Sequence, residues 1–406
     1  MDETSHAPPG LPVVGSVPKL TEDPLRFLVG VQEAYGGQYP LVRLDPPGSP
    51  AVNVVLDAAT VHDVLGDRDR FRRPALGPQE RRREGLLSSD GALWERQRSV
   101  LQPEFVGGRL AGYADVAGET VESMLADWPA AGEVDLLEEL SVLTMRVITR
   151  SLFSRDTTPE QGRAVHEALE QFGRELELEA EDFLLPDAFQ PGPSEGFERA
   201  DDLIEEVAAG FVDWHLEQED PPQDVITALI EARSDPSVEL SEDELLDETV
   251  LFMTAGQETT ALTIIYAFYW LSRNPDARER VREEAETVLG GDRPGWSDLS
   301  DLSVTERVVR ETLRLTPAAW NVLRETRHPT RLAGTRLDAG ELLMLPTYAH
   351  HRDSRVWTEP RSFRPERWAE EVSRANESYF PFGSGPRVCI GRQIACLLQR
   401  AFLRAG

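Results

Sequence analysis

The chain has 406 residues, and its 72 acidic side chains against 42 basic ones give a formal net charge of −30. A surface this negative repels nucleic acid and anionic lipid, so we expect neither a nucleic-acid partner nor a membrane anchor. The longest apolar run, Ala261–Leu271, is too short to cross a bilayer, and the N-terminus lacks the basic start of a signal peptide. With only two cysteines, no disulfide framework is expected. These features together predict a cytoplasmic protein.

The basic residues are almost all arginine, since 41 arginines accompany one lysine, Lys19. A GC-rich genome favours arginine over lysine, but it does not explain the acidic excess. A halophilic origin would explain both the arginine preference and the acidic excess, because concentrated salt shortens the Debye length to a few ångströms and screens self-repulsion. We therefore predict a halophilic protein, against the alternative of an acidic bacterial one.

Strand signals fall in two regions, about 35–60 and 320–350, and the two can pair as a small sheet. From about residue 58 to 315 the apolar residues recur at helical spacing. Within that region the acidic stretch Glu175–Asp182 is predicted to be a solvated helix face. A long irregular stretch, roughly 352–380, follows the second strand region. The sequence therefore predicts a mainly α fold with a small β-rich lobe.

Two pairs of residues in predicted helices can share one helix face. Trp94 and Arg98 stand four residues apart, and Glu311 and Arg314 stand three apart. A core tryptophan beside a surface arginine would give the first pattern, and an ordinary surface salt bridge would give the second. Neither pair identifies a function without further motifs.

The helix predicted for Glu242–Leu271 has a polar centre between apolar flanks, with the run Ala255-Gly256-Gln257-Glu258-Thr259-Thr260. An acid and a hydroxyl inside an apolar helix are costly unless they are paired. Gly256 weakens the helix and lets a water or dioxygen displace a backbone hydrogen bond. Thr259 would then donate a proton during oxygen activation, and Glu258 would link it to solvent. The alternative is a glycine kink with a capping threonine.

The most informative segment is residues 380–391, which read Phe-Pro-Phe-Gly-Ser-Gly-Pro-Arg-Val-Cys-Ile-Gly. Its glycines and prolines bend the backbone, so that N–H groups can point at the sulfur of Cys389. A thiolate stabilised in this way suits axial ligation of haem iron. Arg387 can fork onto a haem propionate, and Gly391 would let a flat macrocycle lie against the following helix. The alternative is a structural cysteine in a loop-to-helix turn.

With Phe382 seven residues before Cys389, and glycines at the matching places, this loop resembles the haem-binding signature of the cytochrome P450 family. The resemblance runs from about Pro8 to the end of the chain. It implies the cytochrome P450 fold as a single domain over residues 1–406, of the soluble prokaryotic type, and the charge adds a haloarchaeal origin. It also implies haem b (iron protoporphyrin IX) as cofactor, with Cys389 as the iron ligand.

The resemblance assigns roles to the remaining motifs. The pair Glu258 and Thr259 matches the oxygen-activation motif of the family. Three residues match donors to the haem propionates: Trp94, Arg98 and Arg324. Three more match a buried structural brace beneath the cysteine loop, which stabilises mainly by fixing one geometry: Glu311, Arg314 and Arg367.

The activity implied is that of a haem-thiolate monooxygenase, which inserts one oxygen atom from O2 into an apolar organic substrate. Its electrons must come from a ferredoxin or flavodoxin-type partner, because the chain carries no flavin or iron–sulfur motif. Two alternatives stay open at this point. One is a haem-thiolate enzyme that uses peroxide or rearranges an oxygenated lipid, and the other is a truncated haem-binding remnant.

The end of the chain departs from the family pattern. The sequence stops 17 residues after Cys389. Family members usually continue for several dozen residues and add a hairpin that reaches into the substrate pocket. Either the gene is truncated or frameshifted, or the lineage lacks the hairpin, and we expect the difference to affect folding robustness and substrate specificity.

Overall fold

A computed structural model describes the chain in eight segments: residues 17–45, 51–74, 83–128, 132–175, 194–236, 238–290, 296–369 and 377–403. The predicted acidic helix face at Glu175–Asp182 lies outside the described residues from position 176 onwards. The described segments are mostly helical with few strands, which confirms the predicted fold class.

The described helices, in chain order, are α1 (Val17–Glu22), α2 (Pro24–Tyr35), α3 (Ala58–Gly66), α4 (Gly91–Leu101), α5 (Arg109–Asp127), α6 (Leu136–Leu152), α7 (Pro159–Glu175), α8 (Glu195–Leu216), α9 (Val225–Ser234), α10 (Glu242–Arg273), α11 (Pro275–Leu289), α12 (Ser303–Leu315), α13 (Thr347–His350) and α14 (Arg392–Leu403). The described strands are β1 (Leu41–Leu44), β2 (Val52–Val55), β3 (Phe71–Arg72), β4 (Val322–Thr326), β5 (Thr330–Leu332), β6 (Thr335–Leu337) and β7 (Leu342–Leu345). Short 3-10 turns occur at Gln102–Phe105, Asp298–Ser300, Pro365–Trp368 and Gly385–Arg387.

The chain forms two compact units. The first comprises Met1–Ala75, Glu177–Gly192 and Glu311–Cys389. The second comprises Leu76–Leu176, Pro193–Arg310 and Ile390–Gly406. The single domain expected over residues 1–406 stays a prediction.

The first unit contains a five-stranded sheet with the order β1-β2-β7-β4-β3. Its central pair is parallel, with Val52 opposite Leu342, and this pairing joins the two predicted strand regions. Strand β2 thus lies between β1 and β7, whereas β5 and β6 form a separate antiparallel hairpin. The two-residue strand β3 lies where the sequence predicts helix. Phe71 pairs with Thr326, and this distant partner rather than a local pattern defines the strand.

Apolar side chains from the sheet and from α3 form the core beside the cysteine loop. Leu65, Phe71 and Leu343 are buried in one cluster, and Phe380 belongs to the same cluster with 2% of its surface exposed. Phe380 is the first residue of the segment that leads to Cys389. Burial of its large side chain fixes the beginning of that segment to the sheet.

The second unit is a helical body around the long helix α10. Ser241 and Glu244 form a capping box at its N-terminus, because each side chain accepts a hydrogen bond from the other residue's backbone N–H. The helix ends before Pro275, which cannot continue it. Helices α6, α8 and α14 pack against α10. None of the helices in the described part of the chain has the length and apolarity that a bilayer crossing requires.

Candidate active site

The loop that carries Cys389 is held in a tight bend by its own backbone. Gly383 and Gly385 have φ values of 71° and 69°, in the left-handed region that favours glycine. A Cβ atom on Gly385 would lie 2.5 Å from the carbonyl oxygen of Leu65, so no larger residue fits there. The N–H of Cys389 donates to the carbonyl oxygen of Phe382 at 3.0 Å. The glycine conformations and this hydrogen bond therefore define the loop geometry without a contribution from a cofactor.

Cys389 is exposed, although cysteine is among the residue types most often buried. A thiol at the surface of such a turn is available to a group outside the chain. Gly391 offers a second indication. Nothing in the described chain lies within 4 Å of a Cβ placed on it, and its φ is not in the left-handed region. The residues present thus fit a flat group that is ligated by a cysteine sulfur.

Helix α3 supports the cysteine loop through a residue that sequence reasoning missed. His62 lies 3.0 Å from the Ser384 hydroxyl through Nδ1 and 2.8 Å from the carbonyl oxygen of Glu377 through Nε2. Because a carbonyl oxygen only accepts, Nε2 carries the proton and Nδ1 can accept from Ser384. No sequence signal identifies His62, since its partners lie more than 300 positions away.

Glu311 is the centre of a buried cluster of donors. Its carboxylate accepts five hydrogen bonds of 2.8–3.0 Å, from Nε and Nη2 of Arg314, the backbone N–H of Arg364, Nε of Arg367 and Nε1 of Trp368. Glu311 and Arg314 are fully buried, and the side chain of Arg367 is 8% exposed. The structure therefore brings the three expected brace residues into one cluster, and it adds Trp368, which the sequence did not indicate.

The same cluster reaches the segment before the cysteine loop. Nη1 of Arg314 donates to the carbonyl oxygens of His351 and Pro360, and Nη2 donates to that of Ser362. Burial lowers the pKa of Arg367, and the Glu311 carboxylate opposes that shift. One buried carboxylate thus fixes two guanidinium groups and, through them, several backbone carbonyl groups.

The centre of α10 places Gly256, Glu258 and Thr259 within one helical turn, inside the helix that the sequence predicts. A Cβ on Gly256 would lie 2.7 Å from Cδ1 of Ile148, so the glycine permits close packing against α6. Thr259 is exposed, and its hydroxyl donates to the carbonyl oxygen of Ala255 at 2.8 Å. Its lone pairs therefore stay open to a second donor.

Glu258 is also exposed, although its neighbours Gln257 and Thr260 on the same helix are buried. Solvent reaches its carboxyl, but protein lies on several sides of it. This partial desolvation raises its pKa, and the charge of His166 opposes the shift. A carboxyl with a raised pKa at a solvent-accessible position is suited to taking up and releasing protons.

The remaining predicted residues lie on two elements. Trp94 is buried and Arg98 is half-buried on one face of α4. Gln97, on the same face, is fully buried and donates to the carbonyl oxygen of Glu84, a contact that the sequence did not indicate. Arg324 lies on β4 in the first unit, where it is 8% exposed and its Nη1 donates to the carbonyl oxygen of Leu323.

Comparison with known proteins agrees with these observations. A family model described as cytochrome P450 matches residues 6–405. The chain is 35% identical to cyclooctatin synthase of Streptomyces melanosporofaciens over 95% of this chain and 84% of that protein. It is 28% identical to pentalenene oxygenase of Streptomyces avermitilis, over 95% of this chain and 86% of that protein.

A third relative is cyclooctat-9-en-7-ol 5-monooxygenase of Streptomyces melanosporofaciens, which is 29% identical over 97% of this chain and 86% of that protein. The family match covers nearly the whole chain, including the cysteine loop, the Glu311 cluster and the centre of α10. The chain therefore belongs to the cytochrome P450 family, and it is an oxidoreductase of the monooxygenase class.

Proposed function

We propose that this chain binds haem b through Cys389 and inserts one oxygen atom from O2 into an apolar organic substrate. The observation that carries the proposal is the exposed cysteine at the end of a glycine-bent, hydrogen-bonded loop. Membership of the family implies haem and the use of O2. The role of Cys389 as the haem ligand, the form of the haem, the substrate class and the partner are proposed.

When bound, haem would supply electron transfer and the activation of dioxygen, with the cysteine thiolate donating electron density. The chain's own contribution begins with holding that thiolate. Arg387 would donate to a propionate group. Trp94, Arg98 and Arg324 would donate to the propionates through an indole N–H and two guanidinium groups.

Proton delivery is the proposed task of Glu258 and Thr259. Glu258 is reached by solvent and burial raises its pKa, so it would take up a proton from water more readily than an ordinary glutamate. The hydroxyl of Thr259 donates its one proton to the Ala255 carbonyl oxygen, so it would have to turn away from that carbonyl to pass the proton on. Its lone pairs would then receive a replacement proton from Glu258, which takes up another from water. Together they would supply the protons that dioxygen requires as it is reduced.

The relatives suggest a substrate class. One is named for oxygenation of pentalenene and another for oxygenation of cyclooctat-9-en-7-ol at position 5. Both names denote unsaturated compounds with little or no polarity. We propose a substrate of this kind, with two electrons delivered by a ferredoxin or flavodoxin-type protein.

Isotope labelling tests the proposed reaction. Haem-loaded protein would be supplied with a panel of apolar alkenes and alkenols that includes pentalenene, with a ferredoxin and its reductase, under 18O2. We expect a product with one labelled oxygen atom, formed only when electrons are supplied. Turnover driven by peroxide at the same rate would instead support the peroxide-using alternative. Full haem occupancy without turnover across the panel would support the truncated remnant.

The negative net charge predicts how the melting temperature depends on salt concentration. With a net charge of −30, the folded chain repels itself at low ionic strength, and salt screens that repulsion. We expect the melting temperature to rise as potassium chloride goes from dilute to molar concentration, as measured by circular dichroism. Sucrose of equal osmolality is the control, because it does not screen charge. A melting temperature that stays flat or falls with salt would contradict a halophilic protein.

A further inference from the structure

His351 lies at a point where the Glu311 cluster meets the cysteine loop. Its imidazole is fully buried, and its Nε2 is 3.1 Å from the backbone nitrogen of Phe380. Since the backbone N–H can only donate, Nε2 is the acceptor and the ring proton is on Nδ1. Nδ1 has no hydrogen-bond partner among the described residues. The single hydrogen bond that the side chain makes there is thus the one to Phe380.

A continuous series of hydrogen bonds passes through this residue. Arg314 donates to the His351 carbonyl oxygen at 2.8 Å, and Phe380 donates to the His351 ring. The carbonyl oxygen of Phe380 accepts from Gly383 at 2.9 Å, inside the bend that continues to Cys389. His351 therefore connects the buried carboxylate cluster to the first residue of the cysteine loop.

The His351 side chain also packs against two aromatic rings. The His351 ring stacks on Tyr379 with centroids 5.2 Å apart and meets the ring of Phe380 edge-on at 5.7 Å. Packing alone could hold the loop, so the role of the hydrogen bond must be separated from that of the ring. The neighbouring His350 offers a comparison, because it is equally buried but bonds through Nε2 to the carbonyl oxygen of Val55 in β2.

We propose that His351 is a positioning residue for the cysteine loop, because its neutral ring accepts the Phe380 N–H and holds Cys389 in the geometry that binds haem. The functional half of this statement rests on the proposed role of Cys389. Two features keep the ring neutral. Burial lowers the pKa of His351 well below its usual range, and the positive charges of Arg314 and Arg352 lower it further.

Hydrogen exchange of the Phe380 amide, measured on the full chain with and without haem, tests whether the His351 ring accepts a hydrogen bond from that amide. The variant H351F keeps a stacked ring but removes the acceptor, whereas H351Q removes the ring but keeps an acceptor oxygen. We expect H351F to speed exchange at Phe380 by about tenfold or more, the factor expected for loss of a buried hydrogen bond. H351Q should stay close to the parent, and the control H350F should leave Phe380 protected.

If the Phe380 amide instead exchanged fast in H351Q and slowly in H351F, ring packing rather than the hydrogen bond would position the loop. That result would overturn the proposal. The parent chain gives a result that does not depend on the folding of any variant. A Phe380 amide that exchanges in the parent as fast as an unprotected amide would also overturn it.

The absorption spectrum of the reduced carbon monoxide complex tests whether this hydrogen bond positions Cys389 for haem binding. We expect H351F to show a smaller thiolate-ligated fraction than the parent, with H351Q and H350F close to the parent. A protected Phe380 amide in a parent that shows no thiolate-type spectrum would overturn the role of Cys389 and not the hydrogen bond. A thiolate-ligated fraction in H351F equal to that of the parent would show that the hydrogen bond does not position the cysteine.

Discussion

Replacing Glu311 by glutamine is expected to lower the free energy of unfolding by about 3–5 kcal/mol, the usual cost of leaving buried charge without its partner. Five donors surround the carboxylate, and two of the groups that supply them are guanidinium ions. Glutamine keeps the shape but removes the negative charge and presents an NH2 group to these donors. Urea unfolding of the variant and the parent at one salt concentration measures the difference.

Glu306→Gln is the matched control for this prediction. Glu306 lies on the same helix, but its partner Arg400 is 3.2 Å away and both side chains are partly exposed, at 39% and 21%. Pairs with this exposure contribute about 0–1 kcal/mol. If Glu311→Gln cost no more than Glu306→Gln, the carboxylate cluster would not have the stabilising role assigned to it.

Thr259→Ala is expected to reduce the rate of product formation by about 10²-fold, the lower end of what a positioned proton donor contributes. Electron consumption should fall much less, and the electrons should leave as hydrogen peroxide, because dioxygen is still reduced without the positioned hydroxyl. Substrate binding should be unchanged. The measurement is the ratio of product to peroxide per electron pair supplied.

Two further substitutions on α10 serve as controls. Thr259→Ser keeps a hydroxyl at the same backbone position and should retain most of the coupling. Thr263→Ala removes a hydroxyl one turn away that makes the same bond to a helix carbonyl, at 2.8 Å, but is buried. Equal product per electron in Thr259→Ala and the parent would remove this residue from proton delivery.

The sequence was sufficient for features with local signals. The strand residues of β1, β2 and β7 carry β-branched and apolar runs, and α10 carries helical spacing between a capping box and a proline. The glycines of the cysteine loop also have a local cause, because the left-handed φ at Gly383 and Gly385 restricts the residue type. The three strands lie inside the two predicted strand regions, and α10 ends two residues beyond the predicted helix Glu242–Leu271.

Several features that depend on distant partners were not predicted. The strand β3 exists because Phe71 meets Thr326, and no pattern within two residues indicates that pairing. His62 and His351 resemble ordinary histidines in the sequence, yet both bond to the segment around the cysteine loop. Arg367 was found through the family resemblance, since its contact with Glu311 spans 56 positions. Long-range hydrogen bonds of this kind leave no periodic trace in the sequence.

The haem-ligand assignment separates the two cysteines of the chain. Cys389 is exposed in the glycine loop, whereas Cys396 is only partly exposed and lies within α14. Only the first lies in an exposed turn, and it is the cysteine proposed to bind the iron. Serine is close in size to cysteine at both positions but is a poor ligand for haem iron, so the two substitutions are matched.

The carbon monoxide spectrum of the reduced, haem-loaded protein tests this assignment most directly. We expect the parent and Cys396→Ser to show the spectrum of thiolate-ligated haem, and Cys389→Ser to lose it. Retention of that spectrum in Cys389→Ser, or its loss in Cys396→Ser alone, would contradict Cys389 as the iron ligand.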